Sequence, residues 1–140
     1  MKIGIISGYF NPIHAGHIAY IEASKSKCDY LVCIVNNDHQ VDLKGSKKFM
    51  DETHRCKIMK SLRDIDEVVL SIDTDKTVCK TITMIRTGMK DHKFLFFNSG
   101  DRVGDNIESE EVILCKKLEI KYVAISLPKV YSSSKLLNNI

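Results

Sequence analysis

No CxxC pair occurs among the five cysteines (Cys28, Cys33, Cys56, Cys79 and Cys115), and no histidine stands at zinc-ligand spacing from them. An odd count without such spacing argues against a disulfide framework and against a structural metal, and implies a reducing compartment. No apolar run approaches the roughly 20 residues of a membrane span, and the first residues, MKIGIISG, lack the length of a signal peptide. The expectation is therefore a soluble, cytoplasmic protein without a membrane partner. Lysine and arginine are scattered instead of forming a block, so the net charge of +3 does not indicate a nucleic-acid partner. Low-complexity tracts, internal repeats and linkers are also missing. With 140 residues, 44% of them hydrophobic, the chain has the size and apolar content for one core, and a single domain over 1–140 is expected.

What is present is a recurring pattern. Short apolar, β-branched runs occur at Ile3–Ile6, Tyr30–Val35, Val68–Ile72, Phe94–Phe97 and Tyr122–Ile125. Segments of helical period lie between and after them, at about 15–27, 51–62, 75–89, 108–118 and 132–139. Continuous apolar strands alternating with helices predict βαβ units and an α/β fold, a parallel five-stranded sheet with helices on both faces. Ligands of such sheets bind beyond the carboxyl ends of the strands, so the polar residues just after each apolar run become the candidates. The stretch 36–50, with Gly45 and three lysines, reads as a long, mobile connection.

The first of these turns, YFNPIHAGHIAY (Tyr9–Tyr20), puts two histidines three positions apart at the start of a helix, where they share one face. Gly8 and Gly16 allow the backbone to approach a ligand closely. Unpaired helix-start amides and the helix dipole favour an anion there, and a phosphate suits both. One histidine alone would be read as a helix cap or as packing under the sheet edge. A pair inside a glycine-containing turn points to His14 and His17 donating to one oxyanion.

The string GYFNPIHAGH resembles the GxFDxxHxGH signature of the nucleotidyltransferase superfamily. KGSKKFMDETHRCKIMKSLRDIDEVVLSID, residues 44–73, resembles the central region of small cytidylyltransferases such as glycerol-3-phosphate cytidylyltransferase. NSGDR resembles the GD element of that family, and YSSSKLL its terminal S-[ST]-[ST]-K-[IL] motif. Four blocks in order across nearly the whole chain imply a Rossmann-like nucleotidyltransferase fold. They imply transfer of a nucleoside monophosphate, CMP from CTP first, onto a phosphorylated alcohol or polyol, with Mg²⁺ accompanying the triphosphate. FNPIH is also similar to adenylyltransferases that build dinucleotide cofactors, and the string from Asn98 to Glu108 to sugar-phosphate adenylyltransferases. ATP is thus the alternative donor, with a sugar phosphate or a nicotinamide or nicotinate mononucleotide as acceptor. Leu127 and Val130, standing where that family carries Arg and Gly, keep a catalytically impaired nucleotide-binding module as the reading outside the enzyme class.

The resemblance implies that Gly8, Tyr9, Phe10, Asn11, His14, Gly16 and His17 contact the nucleotide, with the two imidazoles stabilising charge at the α-phosphorus. Lys44 would lend a point charge to a phosphate, or simply be solvated. Arg63 would reach the nucleotide or the second substrate, or act as a helix-end cation; Arg55 would contact the second substrate. Gly100 and Asp101 would meet a ribose hydroxyl or a Mg²⁺-bound water, or form a turn. Ser132, Ser133 and Ser134 would cradle the outer phosphates, or cap a helix. The family also tends to dimerise near the first motif and the sheet edge, so a homodimer is expected.

Overall fold

The computed structural model describes residues 1–99 and 109–126. Five strands, β1 (Lys2–Gly8), β2 (Tyr30–Val35), β3 (Glu67–Leu70), β4 (Lys93–Ser99) and β5 (Ile120–Ile125), form one sheet in the order β3-β2-β1-β4-β5, every pair parallel. The helices are α1 (Ala15–Lys25), α2 (Asp38–Lys44), α3 (Glu52–Lys60), α4 (Cys79–Gly88) and α5 (Glu110–Lys117). The five predicted strands are all present. The predicted helix at 132–139 lies outside the described residues.

Side chains alternate along each strand, and both faces are apolar because both are covered. On one face Ile3, Ile5, Val32, Ile34, Phe94 and Phe96 pack under α4 and α5 through Ile82, Ile85 and Cys115. On the other, Ile6, Leu31, Cys33, Val35 and Phe97 pack under α1 and α3 through Tyr20, Ile21 and Met59. Ile3, Ile5, Ile6, Leu31 and Ile34 are completely buried. At about 25 cal/mol per Å² of apolar surface, this two-sided burial is the main term holding the sheet. None of the described helices is long and apolar enough to cross a membrane.

The stretch expected to be a mobile connection is folded. Residues 38–44 form α2, with Asn37 as its N-cap accepting from the Gln40 amide while the Gln40 side chain reaches back to the Asn37 N–H, a capping box. Gly45 ends the helix at φ 77°, a left-handed position that suits glycine. Helix α4 starts later than its apolar period suggested. Its N-cap, Val78, has no capping side chain, and the cap comes from afar: the buried Asp73 carboxylate accepts the Lys80 N–H at 2.8 Å, the Thr81 N–H at 3.0 Å and the Thr81 hydroxyl at 2.6 Å.

Strands β2 and β3 extend to one side of β1, and β4 and β5 to the other. Chain direction across the sheet therefore reverses between β1 and β4, the point where open α/β sheets hold ligands beyond their carboxyl ends. The turn from Tyr9 to His14 leaves the sheet there.

Candidate active site

The β1–α1 turn is shaped by packing as much as by hydrogen bonds. Phe10 takes φ 49°, a conformation that costs an L-residue on the order of 1 kcal/mol, and its ring is only 2% exposed. That ring occupies the space a side chain at residue 8 would need: a Cβ on Gly8 would lie 2.8 Å from Phe10 Cζ. Gly8 thus makes room for the protein's own phenylalanine. The space beside Gly8 is therefore filled by the Phe10 ring and is not left open for a ligand. Phe10 sits edge-on to His17, centroids 5.0 Å apart at 70°, and backs that imidazole from below.

His14 and His17 do converge. Their rings stack with centroids 3.8 Å apart and planes 28° from parallel. His14 is the N-cap of α1, and its Nδ1 accepts the Gly16 N–H at 3.0 Å; His17 is the third helical residue, and its Nδ1 accepts the His14 N–H at 3.1 Å. This is a capping box built from two imidazoles, in place of the usual hydroxyl and carboxamide. A ring nitrogen that accepts a backbone N–H carries no proton, so both rings are held as the neutral tautomer protonated on Nε2. The Gly16 amide, expected to meet a phosphate directly, is spent on His14. The donors this turn presents are imidazole N–H groups.

Burial keeps both rings neutral. His17 is pushed down to about 4, first by desolvation, then by the charge His14 would carry and by the Lys44 ammonium; His14 is lowered by burial alone. Because the folded value of His17 lies below the unfolded 6.5, the unfolded chain binds more protons between those two pH values, and stability rises with pH through that window. The unfolding free energy is expected to fall progressively from pH 6.5 to about 4, by up to about 3 kcal/mol from this residue. Urea titrations at half-unit steps check this, and the His17→Gln protein is expected to show a flatter curve over the same range.

Lys44, expected in a mobile loop, is the last residue of α2, and its Nζ lies 4.3 Å from the centroid of the Tyr9 ring. Its charge is felt at His17, so an ammonium and two imidazole donors face one region beyond β1. Asn11 works differently from expectation. Its Nδ2 donates to the Lys47 carbonyl at 2.7 Å, and its Oδ1 accepts from the Phe49 N–H at 2.9 Å, so it fastens the 46–51 loop to the turn.

Arg55 requires the largest correction. Its side chain is 0% exposed, with its donors turned to acceptors of the protein itself. Nε donates to the Met50 carbonyl, Nη1 to the carbonyls of Tyr9 (2.9 Å) and Asn36 (2.6 Å), and Nη2 to Asp38 Oδ1 at 2.8 Å. One guanidinium therefore joins the ends of β1 and β2, the start of α2 and the approach to α3. Arg63 stands at the surface. It lies in the α3–β3 connection, 86% exposed beside Asp64, and lines a surface depression with Ile18, Ile21, Glu22 and Leu62. Gly100, Asp101, Ser132, Ser133 and Ser134 lie outside the described residues.

Sequence reasoning missed a buried polar lattice next to this site. Gln40, fully buried, donates to the carbonyls of Asp75 and Thr77 and accepts from Asn36; Asn37 donates to the carbonyls of Ser71 and Asp73. It locks the loops after β2 and β3 together. The N-x-x-Q spacing of Asn37 and Gln40 was the available signal.

With this geometry in view, comparison with known proteins is decisive at the level of family: the family model described as cytidylyltransferase-like matches residues 5–139. The chain belongs to the cytidylyltransferase-like family. A curated relative of this cytidylyltransferase-like protein, the FAD synthase of Thermoplasma acidophilum, is 36% identical over 90 residues, which are 63% of this chain and 63% of that protein. The bifunctional protein HldE of Bradyrhizobium sp. strain ORS 278 is 26% identical over 140 residues, 99% of this chain but 26% of HldE. The chain thus spans about a quarter to just under two thirds of these relatives. Among solved structures, a lipopolysaccharide core biosynthesis protein from Thermoplasma volcanium GSS1 superposes with TM-score 0.67 at 24% identity, covering 91% of this chain and 97% of that one. It shares the fold.

Proposed function

We propose that this cytidylyltransferase-like protein is a nucleotidyltransferase that moves a nucleoside monophosphate, AMP from ATP, onto the phosphate of a small phosphorylated acceptor. The observation that carries the reading is the stacked, tautomer-fixed His14–His17 pair facing the same region as Lys44 at the switch point of the sheet. An acceptor phosphate oxygen attacks the α-phosphorus in line, the bond from the α-phosphorus to the bridging oxygen breaks, and pyrophosphate leaves with that electron pair. No protein nucleophile is needed. The Nε2–H groups and the ammonium supply positive potential to the non-bridging oxygens, in a geometry set before the substrate arrives.

Among the described residues no group of three His, Cys, Asp or Glu side chains forms a metal cage. Mg²⁺ fits here as part of the substrate, carried on the triphosphate oxygens and its own waters, in keeping with its reluctance to dehydrate. Asp101, with Gly100 a candidate for the ribose or for such a water, and the Ser132–Ser134 cradle for the outer phosphates, complete the proposed site.

ATP is placed first because the FAD synthase shares 36% identity, and FAD contains an adenylate joined through a diphosphate. CTP onto a polyol phosphate is the second reading, favoured by the family model and the central block at 44–73. Thermal-shift titration with ATP, CTP, GTP and UTP, each with Mg²⁺, separates them. A ligand at 100 times its dissociation constant stabilises the fold by about 2.7 kcal/mol, and ATP is expected to do so. Preference for CTP would install the second reading, and no response to any of the four would overturn both. A homodimer, with acceptor and donor bound separately by each copy, belongs to the same proposal, and sedimentation velocity reads it.

A further inference from the structure

The loop at 46–51 carries a feature the nucleotide chemistry does not use. Phe49 is among the most exposed large apolar residues described, at 61%, yet its backbone is held from both sides. The Phe49 N–H and the Lys47 carbonyl are bound by Asn11, and the Met50 carbonyl accepts from Arg55. A loop tip with an exposed phenylalanine would ordinarily be free to fold the ring away; this one is fastened to the β1–α1 turn and to the buried guanidinium. The Lys47 ammonium stands 5.7 Å from the ring centroid and leaves most of the ring accessible to solvent. Lys48 follows immediately, with Asp42 3.8 Å from its Nζ. An aromatic face flanked by lysines, tied through Asn11 to the turn that carries His14, is a surface for a flat ring bearing negative charge.

We propose that Phe49, with Lys47, forms the recognition platform for the acceptor, and that the acceptor is a phosphate monoester whose carbon skeleton includes a planar aromatic ring. The ring would stack on Phe49 while its phosphate is drawn toward the lysines and the histidine pair. Asn11 acts here as a positioning residue: its amide donates to Lys47, which a carboxylate at the same position does not do. The inference rests on the nucleotidyltransferase reading for what happens to the acceptor, while the binding itself is read without any nucleotide.

Flavin mononucleotide is the aromatic probe, its binding followed by flavin fluorescence in the absence of ATP; glycerol 3-phosphate is the non-aromatic one, followed by calorimetry. The expected result is that the wild-type protein binds flavin mononucleotide at least tenfold more tightly than glycerol 3-phosphate. Phe49→Ala is expected to lose about tenfold or more of the flavin affinity, in the range found for aromatic stacking on a base, and Phe49→Trp to keep it within a few-fold. Because the ring is exposed, neither change threatens the fold. Equal flavin affinity in wild type and Phe49→Ala would overturn the proposal. So would an equal loss in Phe49→Trp and Phe49→Ala, or glycerol 3-phosphate binding as tightly as the flavin. ATP binding, titrated separately on the same samples, reports on the donor site, so failure there falls on the nucleotidyltransferase reading alone.

Discussion

Replacing His17 with Gln is expected to lower kcat/KM for nucleotidyl transfer by about 10²–10³-fold while leaving the melting temperature nearly unchanged, because the substitution separates the two jobs of this side chain. Its Nδ1 accepts the His14 N–H and closes the capping box of α1. Gln is one of the residues that ordinarily fills this third helical position in a capping box, so its Oε1 takes over that acceptor. What it lacks is a rigid ring stacked 3.8 Å from His14 with an N–H on Nε2. His17→Ala is expected to lose the same activity and, in addition, about 1 kcal/mol of stability from the broken cap. Steady-state assays with ATP and thermal melts on both variants check this. Equal activity in wild type and His17→Gln would remove the imidazole from the proposed mechanism, and a binding module would show changed affinity without any turnover to lose.

The sheet was legible because a parallel strand covered on both faces must be apolar at nearly every position, and Ile3–Ile6, Tyr30–Val35 and Phe94–Phe97 have no other reading once turns bound them. The histidine pair was legible for a local reason: three positions on a helix bring two side chains together wherever the rest of the chain goes. Residues whose roles depend on distant partners were not. Helix α2 is seven residues long and mostly polar outside Val41 and Leu43, so it left no periodic signal, and Lys44 read as a loop lysine. Asp73 carried no local signal of its role, which is to cap a helix that starts six residues later. Gly8 and Gly16 were read as openings for a ligand, but the space beside Gly8 holds the Phe10 ring, and the Gly16 N–H is bound by the His14 imidazole. Arg63 matched a motif by position, and the structure groups it with Ile18, Ile21 and Glu22 of α1.

Arg55 is the extreme case. By resemblance the cation of ETHRCKIMK reads as a contact to the second substrate, and only the assembled molecule shows four acceptors from three separate segments converging on it. Arg55→Met, close in volume but without donors, is expected to destabilise the protein by about 3–5 kcal/mol, since it leaves the carbonyls of Tyr9, Asn36 and Met50 unmatched and the Asp38 carboxylate without its cation. That corresponds to a drop in melting temperature on the order of 10 °C. Arg55→Lys is expected to recover little of it, because one ammonium cannot reproduce the planar fork that spans these acceptors. The site should respond before the fold does. Tyr9, which carries Lys44 over its ring, and Met50, which borders the Phe49 loop, are both anchored through this guanidinium, so the residual folded Arg55→Lys protein is expected to lose affinity for donor and acceptor together. Thermal melts and ligand titrations at a temperature well below the variant's midpoint separate the two effects. A variant that melts like the wild type would show that the buried fork adds nothing beyond what packing already holds.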